Sequence, residues 1–451
     1  MGKQYRDFCK TIFCIKAIFA LSLSLGVLYR GVSFVKRKYD EAPRILPPIM
    51  VPPRDSVDLV KCFHDESAGV SRLQPPGDMF LFGFSLDWAI DTPEQLVSRL
   101  GQKPPLINTF VKINATDFES GMIEWQAQLL HNLGMIMELT LEPTVTPQEL
   151  SDEILEEFAI FMRHINTKYG IPVLLRFMHE MNGNWMPYGM RPVEQIDTWR
   201  RMTKFMRRET NMTAMLWSPN FGGGYPYGGM KTLRPDSSDP SMRENFARLD
   251  TNNDNRFDHN DDPYGPYYPG DEYVDWIGIS VYNYNRYGGQ TLPVYPDTFT
   301  NLETACSLLK PSFGGYYNFY DRYASGKKPF ILSETGSSSV YYGPDTPEQL
   351  ITVPVTLRNE ITSKWSWWNA IFSTSSVSGK GMPNLRAAVW FEEVKLENSY
   401  DNGRYMVLRD YRITYNSSVR YAFTHDLKKL GKKIQYAGKF KFFCNGTIHS
   451  T

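Results

Sequence analysis

The chain has 451 residues, 42% of them hydrophobic and 22% charged, and Lys+Arg 49 balances Asp+Glu 49 for a net charge of zero. That length and apolar fraction suit one large domain or two ordinary ones with a substantial core. Zero net charge argues against a nucleic-acid binder and against an acidic disordered chain. Aromatic residues reach 14%, with Trp 10, Tyr 27 and Phe 27; this suits a packed core and also a protein that stacks flat ligand faces.

Residues 12–29 form an apolar run interrupted only by Lys16, behind a basic head with Lys3, Arg6 and Lys10. Such a run is a secretory signal peptide or a single membrane anchor. Ser22, Ser24 and Gly26 would permit cleavage, but the length of the run favours an uncleaved anchor. Residues 1–30 are therefore read as a cytosolic tail and signal anchor, and 31–75, with Pro43, Pro47, Pro48, Pro52 and Pro53, as a stem. Cys9 and Cys14 belong to the membrane end. Cys62, Cys306 and Cys444 would face an oxidising lumen, where one disulfide or three buried free thiols are both open. Sequons at Asn114, Asn211, Asn416 and Asn445 agree with secretion.

Beyond the stem, short apolar runs alternate with amphipathic stretches. Residues 79–85 (MFLFGFS) read as a strand, and Thr92-Pro93 then opens a helix whose Gln95 completes a capping box. Further strands are expected at 106–113, 134–141, 173–178 and 213–218, with helices near 119–133, 147–169 and 193–208 between them. A long polar insertion occupies 220–275, followed by strands at 276–281, 330–333 and 387–391. Eight strands alternating with helices point to an α/β protein built as a parallel (β/α)8 TIM barrel over 76–430. Residues 431–451 form a C-terminal extension packed on or trailing the barrel. An open doubly wound sheet is the competing architecture, but no GxGxxG follows the first strand.

In such a barrel functional residues gather at the carboxyl ends of the strands. The fourth expected strand runs into LLRFMHEMNGNWMPYG, residues 174–189, and stops at His179-Glu180. The seventh ends in PFILSETG, residues 329–336, and sets Glu334 at matching height. Two carboxylates facing each other across a barrel mouth are what glycosidic bond cleavage needs: one donates a proton to the leaving oxygen, the other attacks or stabilises the sugar cation. Either Glu alone reads as a strand-end ion pair; the joint pattern lowers the weight of that reading.

RFMHEMNGNWMPYG, together with VDWIGISVYNY (274–284), FILSETG and AAVWF (387–391), resembles the family 26 glycoside hydrolases. That (β/α)8 group includes β-mannanases, mixed-linkage β-glucanases and β-1,3-xylanases, and the resemblance spans roughly residues 80 to 425. It implies a retaining double displacement with Glu180 as acid/base and Glu334 as nucleophile. It also implies that His179 positions Glu180 or substrate, that Trp185 and Trp390 form stacking walls, and that Tyr282 hydrogen-bonds Glu334. Arg176, Glu142 and Asn220 complete the expected substrate contacts. Burial beside Trp185 should raise the pKa of Glu180, while a hydroxyl donor keeps Glu334 ionised. A retaining mechanism places the two carboxyls about 5 to 5.5 Å apart. The chain departs from many relatives at Arg176-Phe177-Met178, where Arg-Pro is common, and at Glu142, where several mannanases carry a histidine. Glu142 reads equally as a substrate contact and as a strand-end Glu paired with an Arg. In WSPNFGGGYPYGG (217–229), Tyr225 and Tyr227 are further candidates to line a subsite.

DTNNDNRFDHND, residues 250–261, follows a twelve-residue calcium loop. Asp250, Asn252 and Asp254 take positions 1, 3 and 5, Arg256 offers a carbonyl at 7, Asp258 stands at 9 and Asp261 at 12. Asn255 replaces the usual Gly at 6 and tolerates the left-handed conformation; the other reading is an acidic solvated loop. The lysines of the tail read as a solvated face.

The expected protein is thus a secretory-pathway glycosidase of β-linked polysaccharide, needing no cofactor for catalysis and carrying structural Ca2+. It would be a monomer with no nucleic-acid partner, held to a membrane by one N-terminal segment with its barrel lumenal or extracellular, or secreted if cleaved. Competing readings are a catalytically silent carbohydrate-binding barrel, an anchored enzyme remodelling the cell's own glycans, and a glycosyltransferase. The last would call for a DxD metal motif on an open sheet.

Overall fold

A computed structural model describes residues 72–221, 233–258, 260–283, 319–326, 328–342, 357–398, 406–438, 440–442 and 448–450. Eight parallel strands close on themselves: β1 (Phe80–Leu86), β2 (Leu106–Ile113), β3 (Ile136–Pro143), β4 (Val173–Phe177), β5 (Thr213–Trp217), β6 (Trp276–Asn283), β7 (Phe330–Ser337) and, after the short β8 (Ser339–Tyr342), β9 (Leu385–Glu392). The closing register runs from Leu81↔Ala387 to Leu86↔Glu392, so the sheet is a barrel and the open-sheet alternative falls. Around it lie α1 (Pro93–Leu100), α2 (Ser120–Leu133), α3 (Asp152–Tyr169), α4 (Pro192–Glu209), α5 (Pro240–Leu249), α6 (Phe319–Tyr323), α7 (Leu357–Thr374) and α8 (Ser417–Lys429).

Local chemistry sets several boundaries. At α1 the Thr92 hydroxyl accepts from the Gln95 amide at 3.3 Å, and the Gln95 side chain accepts from the Thr92 amide at 3.0 Å. The expected helix 147–169 is in fact a 3-10 turn, Pro147–Glu149, and then α3, because Thr146 and Ser151 each cap a start. Two caps five residues apart divide what a hydrophobic pattern reads as one segment.

Alternation along each strand fills the barrel in layers. The bottom layer is apolar, with Leu81, Leu106, Ile136, Leu174, Leu216 and Trp276, and Leu73 and Ile448 join it. Above it the interior turns polar. Ser85 donates to Asn108 at 3.3 Å and Asn108 to Thr140 at 2.8 Å, while Arg176 reaches Ser218 at 3.1 Å. Between barrel and helices Phe82, Trp368, Phe372, Trp390 and Phe423 pack ring to ring. Six of the ten tryptophans are fully buried, so most of the tryptophan content serves the core rather than a ligand.

The C-terminal extension packs on the barrel. β12 (Ile434–Gln435) pairs with the foot of β1, and the Ala437 and Gly438 amides donate to the carbonyls of Lys103 and Gly134. β10 (Val394–Asn398), β11 (Met406–Asp410) and β8 form a small antiparallel sheet, and β13 (Phe440–Phe442) pairs with β14 (Ile448–Ser450). The apolar run 12–29, the stem up to residue 71, all five cysteines, Asn445, Tyr225 and Tyr227 lie outside the described residues. Among the described residues no helix is long and apolar enough to cross a membrane.

Candidate active site

β4 ends at Phe177, and the chain then bends sharply. Met178 and Glu180 both take left-handed backbone angles, φ 47° and 52°, without being glycine. Such a conformation costs about 1–2 kcal/mol per residue and is retained where the surroundings over-determine it. Here the Met178 amide is held by the Leu141 carbonyl at 3.1 Å and the Glu180 amide by the Ser218 carbonyl at 2.8 Å. The bend delivers Glu180 to the mouth.

Glu180 is half-buried. Asn220 donates to its Oε1 at 2.9 Å and the Trp185 indole to its Oε2 at 3.0 Å. Burial raises its pKa, and the neighbouring Glu334 charge adds to the rise against Arg176, Asn220 and Ser280. Trp185 therefore presents its N–H to the carboxylate, not the apolar face expected from the sequence, and remains 46% exposed. Gly183 makes this arrangement possible, since a Cβ there would lie 2.3 Å from the Trp185 ring. Asn220 is held by a reciprocal pair: its amide donates to Asn182 Oδ1 at 2.8 Å, and Asn182 Nδ2 returns to its carbonyl at 2.9 Å.

Glu334, on β7, is buried. Arg176 Nη1 donates to its Oε2 at 2.8 Å and the Tyr282 hydroxyl to its Oε1. Burial alone would push this carboxyl up, but the Arg176 guanidinium, aided by the Tyr282 donor, holds it below the usual carboxylate range. Tyr282 is itself wedged by Phe391 and Tyr411, with ring centroids 5.9 and 5.3 Å away. Two carboxyls at one barrel mouth thus have opposed tendencies, one to keep its proton and one to lose it.

His179 is buried, packed edge-on to Phe110 at 5.7 Å. The Tyr188 hydroxyl donates to the His179 carbonyl at 2.9 Å and so accepts from Nδ1, 3.2 Å away. This leaves Nε2 unprotonated and facing Glu142 Oε1 at 3.7 Å. Burial and the nearby Arg176 charge lower the His179 pKa to about 3, while burial raises that of Glu142 to about 7. The contact is therefore neutral on the acid side of pH 7. Glu142 meets a histidine, not the arginine that a strand-end ion pair would supply.

Two expected substrate contacts lie elsewhere. Arg176 is fully buried inside the barrel and binds Glu334, Ser218 and Ser280, so it holds the β7 carboxylate from within. Trp390 is fully buried, stacks on Phe82 and donates to the Tyr411 carbonyl at 2.8 Å. It faces the helices, because Val389 and Phe391 on either side take the inward positions; it is a core residue, not a stacking wall. Residues the sequence did not single out, Ser218, Ser280, Asn182 and Tyr188, hold the named ones in place. Small polar residues at the mouth ends of the fifth and sixth strands were the available signal.

The loop 250–261 winds around its own backbone. Asp250 accepts from the amides of Asp254 and Asn255 at 3.0 and 2.9 Å, and Asp261 from those of Thr251 and Asp258 at 2.7 and 2.9 Å. Asn255 has φ 61°, the left-handed conformation expected at position 6. Asn252 and Asp254 serve as local turn acceptors, and Asp258 accepts from the Asn260 amide. Among the described residues no group of three or more His, Cys, Asp or Glu gathers as a metal-holding set.

A closed parallel barrel with two glutamates at its carboxyl mouth is the kind of site that glycosidic bond cleavage uses. Residues 137–221, which carry β3 to β5 and His179-Glu180, match the profile of glycosyl hydrolase family 26. Solved structures that resemble the chain include a mannanase of Bacillus subtilis, at 16% identity, covering 72% of this chain and 81% of that one with a TM-score of 0.38. A family 26 β-mannanase of Bacteroides ovatus shows 15% identity over 80% and 91%, TM-score 0.41. An endo-β-1,4-mannanase catalytic domain from Bacillus sp. JAMB-750 shows 15% over 80% and 88%, TM-score 0.46. No curated protein sequence matches the chain.

Proposed function

We propose that the chain hydrolyses a β-linked polysaccharide of the β-mannan or β-glucan type, with retention of configuration. The observation that carries this is the opposed environment of the two glutamates. Glu334, paired with Arg176 and Tyr282, is biased to the anion that attacks; Glu180, half-buried and repelled by that anion, is biased to keep its proton.

Glu334 attacks the anomeric carbon as the glycosidic C–O bond breaks, and the leaving oxygen takes the Glu180 proton. Glu180, now ionised, removes a proton from water, whose oxygen displaces Glu334 and restores both groups. Trp185 lends an exposed ring face to the sugar beside the scissile bond, and Asn220 and Trp185 keep the Glu180 carboxyl aimed. His179, neutral, orients the loop through Tyr188 and offers Nε2 to a hydroxyl with Glu142. Both mannan and glucan are kept: family relatives named mannanases support the first, and Glu142 in place of a substrate-touching histidine supports the second. The apolar run 12–29 supports a membrane-held enzyme in the secretory pathway, which carbonate extraction of membranes from the producing cells tests.

The test is release of reducing ends by the chain from residue 40 onward on mannan, mixed-linkage glucan, β-1,3-xylan and β-1,3-glucan, with early product anomers read by NMR. The expected result is β product that Glu334→Ala abolishes without loss of fold. Turnover surviving in Glu334→Ala, or an α first product, would refute the mechanism.

A further inference from the structure

Outside the catalytic cleft two exposed tryptophans stand out among the described residues, Trp365 and Trp125, and the second packs against another ring. Six tryptophans are fully buried, yet Trp125 on α2 is 42% exposed and Ile90 beside the β1–α1 turn is 61% exposed. Trp88, two residues before Ile90 in the chain, meets Trp125 edge to face with ring centroids 5.7 Å apart. It is not loose: its indole N–H donates to the Asn108 carbonyl at 3.1 Å, tying the ring to β2. A pinned ring, a second ring against it and an aliphatic neighbour make an exposed apolar patch, which surfaces of soluble proteins generally reserve for a partner.

Trp88 lies two residues beyond the carboxyl end of β1, on the mouth side of the barrel. Glu393, the residue after β9, is raised to about 8 by burial and by the charges of Asp87 and Glu334, so Asp87 and Glu334 both lie within electrostatic reach of that carboxyl. Trp88 is the residue after Asp87. A chain lying over Glu334 and leaving on the β1 side therefore passes Glu393 and Asp87 before it meets the rings, while Trp185 stands on the β4 side. The rings offer flat faces to the C–H face of a sugar, and the Asp87 carboxylate an acceptor for its hydroxyls.

We propose that Trp88, Trp125 and Ile90 form a stacking platform for sugar units of the bound polysaccharide beyond the cleft, on the β1–β2 side. This rests on the polysaccharide-hydrolase reading, and it makes the protein selective for long chains over short ones.

The experiment has two arms with the full chain. In the first, Glu334→Ala and Glu334→Ala/Trp125→Ala are run through native gels containing mannan or mixed-linkage glucan; Trp125→Ala should weaken retardation about fivefold, the scale of one aromatic stacking contact. In the second, Trp125→Ala should lower the ratio of kcat/KM on polymer to kcat/KM on 4-nitrophenyl β-disaccharides about fivefold, and Trp125→Phe, which keeps a flat ring, should restore most of it. Unchanged retardation and an unchanged ratio overturn the platform. Retardation lost in Trp125→Ala from a protein that turns over no polymer upholds the platform and sinks the hydrolase reading. Neither retardation nor turnover sinks both.

Discussion

Replacing Tyr282 with Phe removes one hydroxyl and tests the assignment of Glu334 directly. The ring can stay where it is, held by Phe391 and Tyr411, so the fold should survive. Glu334 loses the donor to Oε1 and keeps Arg176 on Oε2. A hydrogen bond to a charged group contributes about 1.5–3 kcal/mol, and one pKa unit corresponds to about 1.36 kcal/mol. The Glu334 pKa should therefore rise by about one to two units. The sign follows from which form the bond favours: the hydroxyl stabilises the anion, so its loss favours the protonated acid. The assay is kcat/KM against pH on a chromogenic β-glycoside, whose acid limb reports the free nucleophile. That limb should move up by the same one to two units while the alkaline limb moves less. The folded protein should also lose stability at higher pH on acidification, because a depressed carboxylate contributes stability that disappears as pH falls through its folded pKa. An acid limb that stays in place would refute the reasoning.

Asn220→Ala removes a donor that favours ionised Glu180; the alkaline limb should rise by about one unit, and a fall would contradict the acid role. Glu138, fully buried with no hydrogen-bond partner for either oxygen, has its pKa raised to about 8 by burial. An unfolded Glu loses its proton near pH 4.3, so between there and about pH 8 the folded state binds more protons and stability falls as pH rises. Glu138→Gln should therefore raise the melting temperature at pH 8 and leave it little changed at pH 4.5, as calorimetry at the two pH values would read. The calcium reading of 250–261 predicts a lower melting temperature in EDTA, restored by excess Ca2+; no shift in calorimetry leaves the loop closed by its own amides.

Glu180 and Glu334 were legible because each directly follows an apolar run, and a strand end in a barrel is a place with a fixed direction. Trp390 was not, because facing in or out turns on a single residue of register: AAVWF shows an apolar strand end but not which parity points inward. Arg176 was visible as a residue, yet its partner lies 158 positions away, and no local pattern links them. The bend at 178–180 was hidden for another reason. Left-handed backbone usually announces itself through glycine, and here Met178 and Glu180 adopt it because carbonyls of β3 and the end of β5 capture their amides. The strand count and the capping box at Thr92 were read correctly from periodicity and spacing, which depend only on neighbours in the chain.

The distribution of charge at the mouth follows from scarcity of cations. Glu138, Glu142, Glu180, Glu334 and Glu393 all feel one another or Arg176, and Arg176 forms an ion pair with Glu334. It bonds Glu334, through geometry fixed by Ser218 and Ser280, so that carboxyl is the one stabilised as an anion. Every other carboxyl then titrates against an existing negative charge in a buried setting, and each is pushed up. The upward shift of the Glu180 carboxyl is thus tied to where Arg176 points. On the reading that Glu334 attacks and Glu180 donates, one cation on β4 bonded to one carboxyl on β7 pushes the two groups in the directions that both roles require.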